Sequence, residues 1–335
     1  MAKPTGAATT VIVTVNWKAA QQTIDCVDSL AALATKDWML LICENCSPDG
    51  SLVTIRAALA ERYSEQIRQG ADVDQINQFE YFDRDSDSSI PKIVLVASAS
   101  NLGFAGGNNL ALSALPNDVS PEFYWFLNND TVVNADCLDV LVSKMNSNPS
   151  IGICGATLIY EQSRAQVQAF GGARYSRLFG HVHEVGQGSV WPCDIDEPLV
   201  EASIDYVSGA SMFVSSSFLK KVGPMSEDYF LYYEELDWAV RGRAAGFQLG
   251  YASKAIVFHK EGAVLGSGKS HKRSALAEYY GLRNRLVFTQ KFFPWALPTV
   301  WLTGWAQVAR RLASGNLERA RLMGAVLLGL RKVAP

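Results

Sequence analysis

Phe123-Tyr124-Trp125-Phe126-Leu127 runs without a break into Asn128-Asn129-Asp130-Thr131. Five apolar and aromatic residues in a row have the length and bulk of a buried strand, and turn formers with one carboxylate follow them. In an open α/β sheet, ligands sit beyond the carboxyl ends of the strands. The Asn-Asn-Asp cluster therefore stands where a hard oxygen ligand would meet a phosphate-bound Mg²⁺ or Mn²⁺. The same residues would also make an ordinary turn, and the neighbouring segments decide between the two readings.

Working outward, residues 11–15 form a first apolar strand that ends at Asn16-Trp17, and residues 19–34 carry apolar side chains at helical spacing. A second strand over 38–43 ends in Glu44-Asn45-Cys46-Ser47-Pro48-Asp49-Gly50-Ser51, and a helix follows over 52–62. Residues 64–91 are polar and charged and are expected to be an insertion or mobile loop. A third strand over 93–96 leads to a helix beginning near Gly106. Beyond Asp130 come a helix at 135–146, a strand at 151–159, and a glycine-rich irregular stretch at 171–203. Strands at 205–214 and 248–258 flank an acidic helix at 234–245. Strands alternating with helices predict an α/β fold, with a mostly parallel sheet and helices on both faces.

The chain has 335 residues, 48% of them hydrophobic and 19% charged, enough for a large buried core and against global disorder. The net charge of −3 hides an asymmetry: from Lys269 onward 12 Lys/Arg oppose only Glu278 and Glu318, so the tail carries +10 and the remainder −13. Such a tail is suited to an anionic surface. Within it, residues 276–291 read as a helix. Residues 292–309 are apolar and Trp-rich but interrupted by Pro294 and Pro298, a poor membrane span. Residues 317–332 mix Leu317, Leu322 and Leu327 with Arg319, Arg321 and Arg331, which suits a helix lying in a membrane interface. The alternative is that these helices pack on the domain with their basic residues solvated. The Trp-rich apolar content fits lipid rather than nucleic acid. The six cysteines are scattered, Cys43 and Cys46 form a lone C-x-x-C without partners for zinc, and the N-terminus is too weakly apolar for a signal peptide. A reducing cytosolic setting is expected.

Polar clusters follow the strands at Glu44-Asn45, at 101–109 (N-L-G-F-A-G-G-N-N), at Asn128-Asn129-Asp130 and at Tyr232-Tyr233-Glu234-Glu235-Leu236-Asp237-Trp238; a late strand ends at His259. The glycine segment is neither a dinucleotide fingerprint nor a P-loop. In order and spelling, these clusters resemble the inverting family 2 glycosyltransferases of GT-A fold, and among them bacterial rhamnosyltransferase-like enzymes. The resemblance covers roughly residues 10–290. Residues 44–51 look like D-N-x-S-x-D-G-S, 101–109 like N-x-G-F-A-x-G-N-N, and 127–131 like the L-N-x-D variant of the D-x-D motif. Residues 234–238 look like E-D-x-D-[LW], and 279–285 (Y-Y-G-L-R-N-R) like Y-Y-x-x-R-N-x.

The resemblance implies a GT-A catalytic domain over 1–273, with a nucleotide-sugar half at about 10–133 and an acceptor half at about 134–273, and a basic amphipathic helical region over 274–335. It implies Glu235 as the catalytic base, where the family usually has Asp. It implies donor-binding roles for Asn16, Glu44, Asn45, Asp49, Asn101, Gly103, Phe104, Gly106, Asn108, Asn129 and Arg283. Acceptor-binding roles fall to Gly209, Glu234, Asp237 and Trp238, although Asp237 is also spaced to pair with Arg241 on one helix. A divalent metal, Mn²⁺ or Mg²⁺, would be held by Asp130 and His259. The partners implied are a dTDP- or UDP-sugar donor, a saccharide or lipid-linked saccharide acceptor, and a membrane surface met by the C-terminal helices. The expected activity is metal-assisted, inverting sugar transfer, with rhamnose as one donor sugar, for a surface polysaccharide at the cytosolic face of the inner membrane. The rival classes are an inactive nucleotide-sugar-binding scaffold and a sugar-phosphate nucleotidyltransferase. The latter is weakened by the absence of a glycine-rich loop after the first strand.

Overall fold

The computed structural model describes residues 10–66, 76–83, 92–260 and 274–330. The first half contains β1 (Thr10–Asn16), α1 (Ala20–Ala31), β2 (Trp38–Glu44), α2 (Ser51–Arg62), β3 (Ser64–Gln66), β4 (Ile76–Asp83), β5 (Ile93–Ser98), α3 (Gly103–Ser113) and β6 (Phe123–Leu127). Next come β7 (Thr131–Val133), α4 (Cys137–Ser147), β8 (Ile151–Tyr160), β9 (Val167–Phe170), β10 (Gly172–Tyr175), β11 (Val182–Glu184), α5 (Glu197–Ser203) and β12 (Tyr206–Val207). They are followed by β13 (Ser211–Ser215), α6 (Ser216–Val222), α7 (Glu234–Ala244), β14 (Gln248–His259), α8 (Ala275–Phe292), α9 (Leu297–Ala313) and α10 (Leu317–Leu327).

One large sheet runs β3-β4-β5-β2-β1-β6-β13-β8-β14-β7, with β9 paired to β8. β5, β2, β1 and β6 are parallel neighbours, and β8 and β14 are parallel to each other. Side chains alternate across this sheet, so each strand feeds two cores. On β1, Ile12 joins Val27 and Leu30 of α1 and Ile55 and Leu59 of α2 on one face. Val11 and Val13 join Ala105 and Leu110 of α3 and Trp238 of α7 on the other. Two buried faces explain why the strands read as unbroken apolar runs. Trp125 has no exposure, yet its indole N–H is satisfied by the Ser211 hydroxyl at 2.9 Å.

Two expectations need correction. The 64–91 segment is not simply an insertion or loop. β4 pairs antiparallel with β5, and β3 pairs with β4, extending the sheet at its edge, with Phe82 fully buried. The acidic Asp83–Asp87 run dominates the composition of that segment and hides the aromatic-rich strand before it; residues 67–75 and 84–91 lie outside those described. The 171–203 stretch is likewise ordered. β10 and β11 form a hairpin that pairs with β12 in a second, three-stranded sheet, and α5 follows. Strands this short leave little periodicity to read.

α8, α9 and α10 close on one another around Tyr279, Leu282, Val308, Met323 and Leu327. The apolar faces of the C-terminal helices are thus partly spent on packing. No described helix is long and apolar enough to cross a membrane.

Candidate active site

Parallel order delivers the loops after β1, β2, β5 and β6 to one edge of the sheet, so Trp17, Asn45, Asn101 and Asn128 emerge together. β13 runs against β6 with Ser211 opposite Leu127, which brings the Ser208-Gly209-Ala210 turn to the same edge. The Asn128 N–H donates to the Ala210 carbonyl at 3.1 Å and ties the two together. β14 ends there as well, with His259 opposite Thr131 and Tyr160. Together with the 230–235 segment, the β10–β11 hairpin and α8, these ends line a cleft of about 1000 Å³.

Asp130 and His259 meet within it. The Asp130 Oδ1 lies 3.1 Å from His259 Nε2, and the Asn128 amide lies 3.5 Å from the same nitrogen. His259 Nδ1 faces Gln168 Oε1 at 2.9 Å. An amide oxygen only accepts, so the Nδ1 proton is fixed there and Nε2 is turned towards Asp130. Burial opposes ionisation of Asp130, but His259, a backbone hydrogen bond and the Lys260 charge together outweigh it and hold the carboxyl below the usual carboxylate range. A carboxylate and an oriented imidazole nitrogen fit a divalent ion of the Mn²⁺ type, and the Gln168 contact is the outer support such a ligand needs. Donors about 2.1 Å from an octahedral ion sit about 3 Å apart when adjacent, which matches this pair. No group of three or more His, Cys, Asp or Glu gathers among the described residues, so the remaining ligands would come from substrate or water.

Glu234 and Glu235 open α7, where their charge favours the helix dipole. Burial pushes the Glu235 carboxyl up to about 7. Burial, then the charge of Glu235, pushes Glu234 well above its ordinary value, and its Oε2 is buried without a hydrogen-bond partner. Both carboxyls are thus shifted upwards, and Glu235, at about 7, is placed to exchange a proton near neutral pH. Gly209 makes room for it, since a Cβ there would lie 2.3 Å from Glu235 Oε1.

The turn before the glutamates is strained. Phe230, Tyr232 and Tyr233 have φ of 62°, 68° and 81°, a region that non-glycine residues adopt at a cost of about 1–3 kcal/mol each. Two contacts hold it. Phe104 N–H donates to the Phe230 carbonyl at 2.7 Å, an approach that requires Gly103, where a Cβ would lie 2.1 Å from that oxygen. From α8, the Asn284 amide donates to the carbonyls of Tyr229, Leu231 and Tyr232 at 2.7, 2.7 and 3.0 Å. Asn284→Ala is expected to lower stability by about 2 kcal/mol by stranding these buried carbonyls. It is also expected to lower kcat by loosening the glutamate turn, and thermal melts paired with turnover measurements check both effects.

Of the residues expected to bind donor, Asn45, Asn101, Gly103, Phe104 and Asn129 line the cleft. Asn45 accepts from Leu102 N–H at 2.9 Å and donates to Asn101 and the Gly103 carbonyl, knitting the loops after β2 and β5. Asn16, Glu44, Asp49, Gly106, Asn108 and Arg283 do not line it. Asn16 is buried between Glu44 and Thr23, Glu44 accepts from Ser47 N–H, and Asp49 accepts from Ser51 at the start of α2. Gly106 and Asn108 lie in α3, and the Asn108 amide donates to the Phe104 carbonyl. Arg283 is turned onto the Asp228 carbonyl and Asn284; two positions on, about 200° around the helix, Arg285 is the one that lines the cleft.

Among the acceptor assignments, Gly209 and Glu234 line the cleft, whereas Asp237 and Trp238 do not. Asp237 is fully buried and accepts from Arg241 at 2.6 Å, Lys291 at 2.7 Å and Tyr229 at 2.9 Å. Trp238 packs edge-on against Phe126 and Phe218 and donates to the Gly223 carbonyl. Both belong to the architecture that holds α7 in place. Gln168, Asn284 and Arg285 are the residues that reading the sequence did not assign. Only the last two carried a signal, as part of the Y-Y-G-L-R-N-R run.

Comparison with known proteins agrees with this fold. The family model described as glycosyl transferase family 2 matches residues 78–182. The low-salt glycan biosynthesis hexosyltransferase Agl10 of Haloferax volcanii is 22% identical over 231 residues, covering 67% of this chain and 70% of that protein. The mannosyltransferase PcManGT from Pyrobaculum calidifontis, solved with GDP-Man and Mn²⁺, superposes with a TM-score of 0.53 at 13% identity, over 98% of this chain and 82% of that one. TarS 1–349 from S. aureus, solved with UDP-GlcNAc, gives 0.51 at 10% identity, over 97% and 93% of the two chains.

Proposed function

This chain belongs to the family 2 glycosyltransferases and has their GT-A fold, and on that premise we propose that it is an inverting, metal-assisted transferase with Glu235 as its base. The observation that carries the proposal is the cleft itself. One wall holds a paired carboxylate and oriented imidazole, and another holds a half-buried carboxyl, Glu235, pushed up to about 7, which suits proton abstraction at neutral pH.

In the reaction, Glu235 takes the proton from an acceptor hydroxyl. The oxygen forms its bond to the donor's anomeric carbon from one face while the bond to the diphosphate oxygen breaks on the other, so the configuration inverts. The strained 230–233 turn, held by Asn284 and Gly103, sets the position of Glu235. Beside it, burial and then the Glu235 charge oppose ionisation of Glu234. Trp17, Asn45 and Asn101 form the wall for the nucleoside. A divalent ion held by Asp130 and His259 would supply positive charge to the leaving diphosphate.

The donor is a nucleoside-diphosphate hexose, with rhamnose on dTDP as the candidate that the sequence resemblance names. The acceptor is a saccharide, free or lipid-linked, of a surface polysaccharide. Peripheral attachment to the cytosolic face of the inner membrane is supported by the exposed Trp295, Trp301 and Leu302 beside a basic tail.

The metal assignment has a direct test. Mn²⁺ is expected to strengthen nucleoside-diphosphate binding to the wild type. Asp130→Asn and His259→Ala should each remove most of that gain while leaving metal-free affinity in place. If both variants keep the full Mn²⁺ effect in calorimetric titrations, the metal lies elsewhere.

A further inference from the structure

Strand β9 pairs antiparallel with β8, Leu158 opposite Ala169 and Ile159 opposite Val167, so Gln168 is an extra residue without a counterpart across the ladder. Such a bulge re-aims a side chain and is common beside functional sites. Along a regular strand Val167 and Ala169 would share a face. Here Val167 joins the core that holds Phe170 and Tyr251, and Ala169 joins the opposite core with Ala156 and Leu158. The side chain between them lines the cleft while only 8% exposed.

Only one end of the Gln168 amide is used. Its Oε1 accepts from His259 Nδ1 at 2.9 Å, whereas its Nε2 has no hydrogen-bond partner among the described residues. With the oxygen committed to His259, the N–H donors are the end left for a ligand. A side chain this buried, with donors open in a cleft wall, points to a ligand oxygen that completes them. Asp130 stands at Nε2 of the same imidazole, so the width of one ring separates Gln168 from it. A neutral donor set back from the diphosphate charge suits a hydroxyl, since phosphate oxygens are better met by cations. We propose that Gln168 donates to a hydroxyl of the transferred hexose and so helps to select the donor sugar. This rests on the transferase reading above. A site that hydrogen-bonds a substrate hydroxyl rejects analogues lacking it, because its own buried donor is then left unpaired.

The test titrates the full-length protein, with Mn²⁺ saturating and no acceptor, with dTDP-rhamnose, UDP-glucose or GDP-mannose, whichever the wild type binds. Each is set against the same nucleoside diphosphate without its sugar. In Gln168→Glu and in Gln168→Met the nucleotide hexose should weaken by about tenfold relative to the nucleoside diphosphate, the loss of one buried hydrogen bond. Gln168→Glu keeps an oxygen for His259, so the nucleoside diphosphate should retain its Mn²⁺-dependent affinity there. Gln168→Met adds no charge, so the same relative loss in both variants excludes charge repulsion as the cause. A wild-type ratio in both variants would overturn the proposal. So would equal weakening of the two ligands, which marks a support for His259 alone. An unchanged ratio with a raised acceptor KM would place the contact on the acceptor and overturn it as well. Failure of every nucleoside diphosphate to bind the wild type would instead sink the transferase reading on which the proposal stands.

Discussion

Glu235→Gln is expected to lower sugar transfer by about 10²–10⁴-fold, the usual contribution of a positioned general base, while nucleoside-diphosphate affinity stays at the wild-type level. The amide keeps the shape of the side chain, so its contact with Gly209 survives; only the ability to take a proton is lost. The wild-type rate should rise with pH through about 7, because the carboxyl must be ionised to act and burial holds its pKa there. Stability runs the other way. A carboxyl with a raised native pKa favours the protonated native state, so its contribution is full below the unfolded value of 4.5 and is lost as pH rises through about 7. Above that pH the variant should be at least as stable as the wild type although nearly inactive. A general structural role for Glu235 would lower both properties together.

Asp237→Ala is expected to destabilise the protein by about 3 kcal/mol, at the lower end for a broken buried ion pair because Arg241 and Lys291 are partly exposed and recover some water. The fully buried carboxylate answers two cations and the Tyr229 hydroxyl, and it fixes α7 against α8. Denaturant unfolding measures the loss. An acceptor-binding role would instead raise the acceptor KM in a protein of normal stability.

The central strands were legible because burial on both faces turns each into an apolar run with an abrupt polar end, as at Phe123–Asp130. The loops after β1, β2, β5 and β6 followed from parallel order alone. Side-chain direction was not legible. Motif position puts Arg283 and Asp237 beside functional residues, but helical rotation turns Arg283 away and burial commits Asp237 to a packing network. Gln168 was invisible because, on β9, it reaches His259 on β14 across the intervening β8, from 91 positions away. The ordering of 76–83 and of the β10–β11 hairpin depends on pairing with distant strands, which composition in a local window does not register.

A nucleotide-sugar donor site completed by a divalent ion should bind a nucleoside diphosphate more tightly when Mn²⁺ is present. The most direct measurement is the thermal stability of the full-length protein with dTDP, UDP and GDP, each with and without Mn²⁺. One diphosphate should raise the transition, by about 2.7 kcal/mol of stabilisation at 100 times its dissociation constant, and Mn²⁺ should enlarge the shift. A protein that none of the three stabilises, with Mn²⁺ present, would contradict the account.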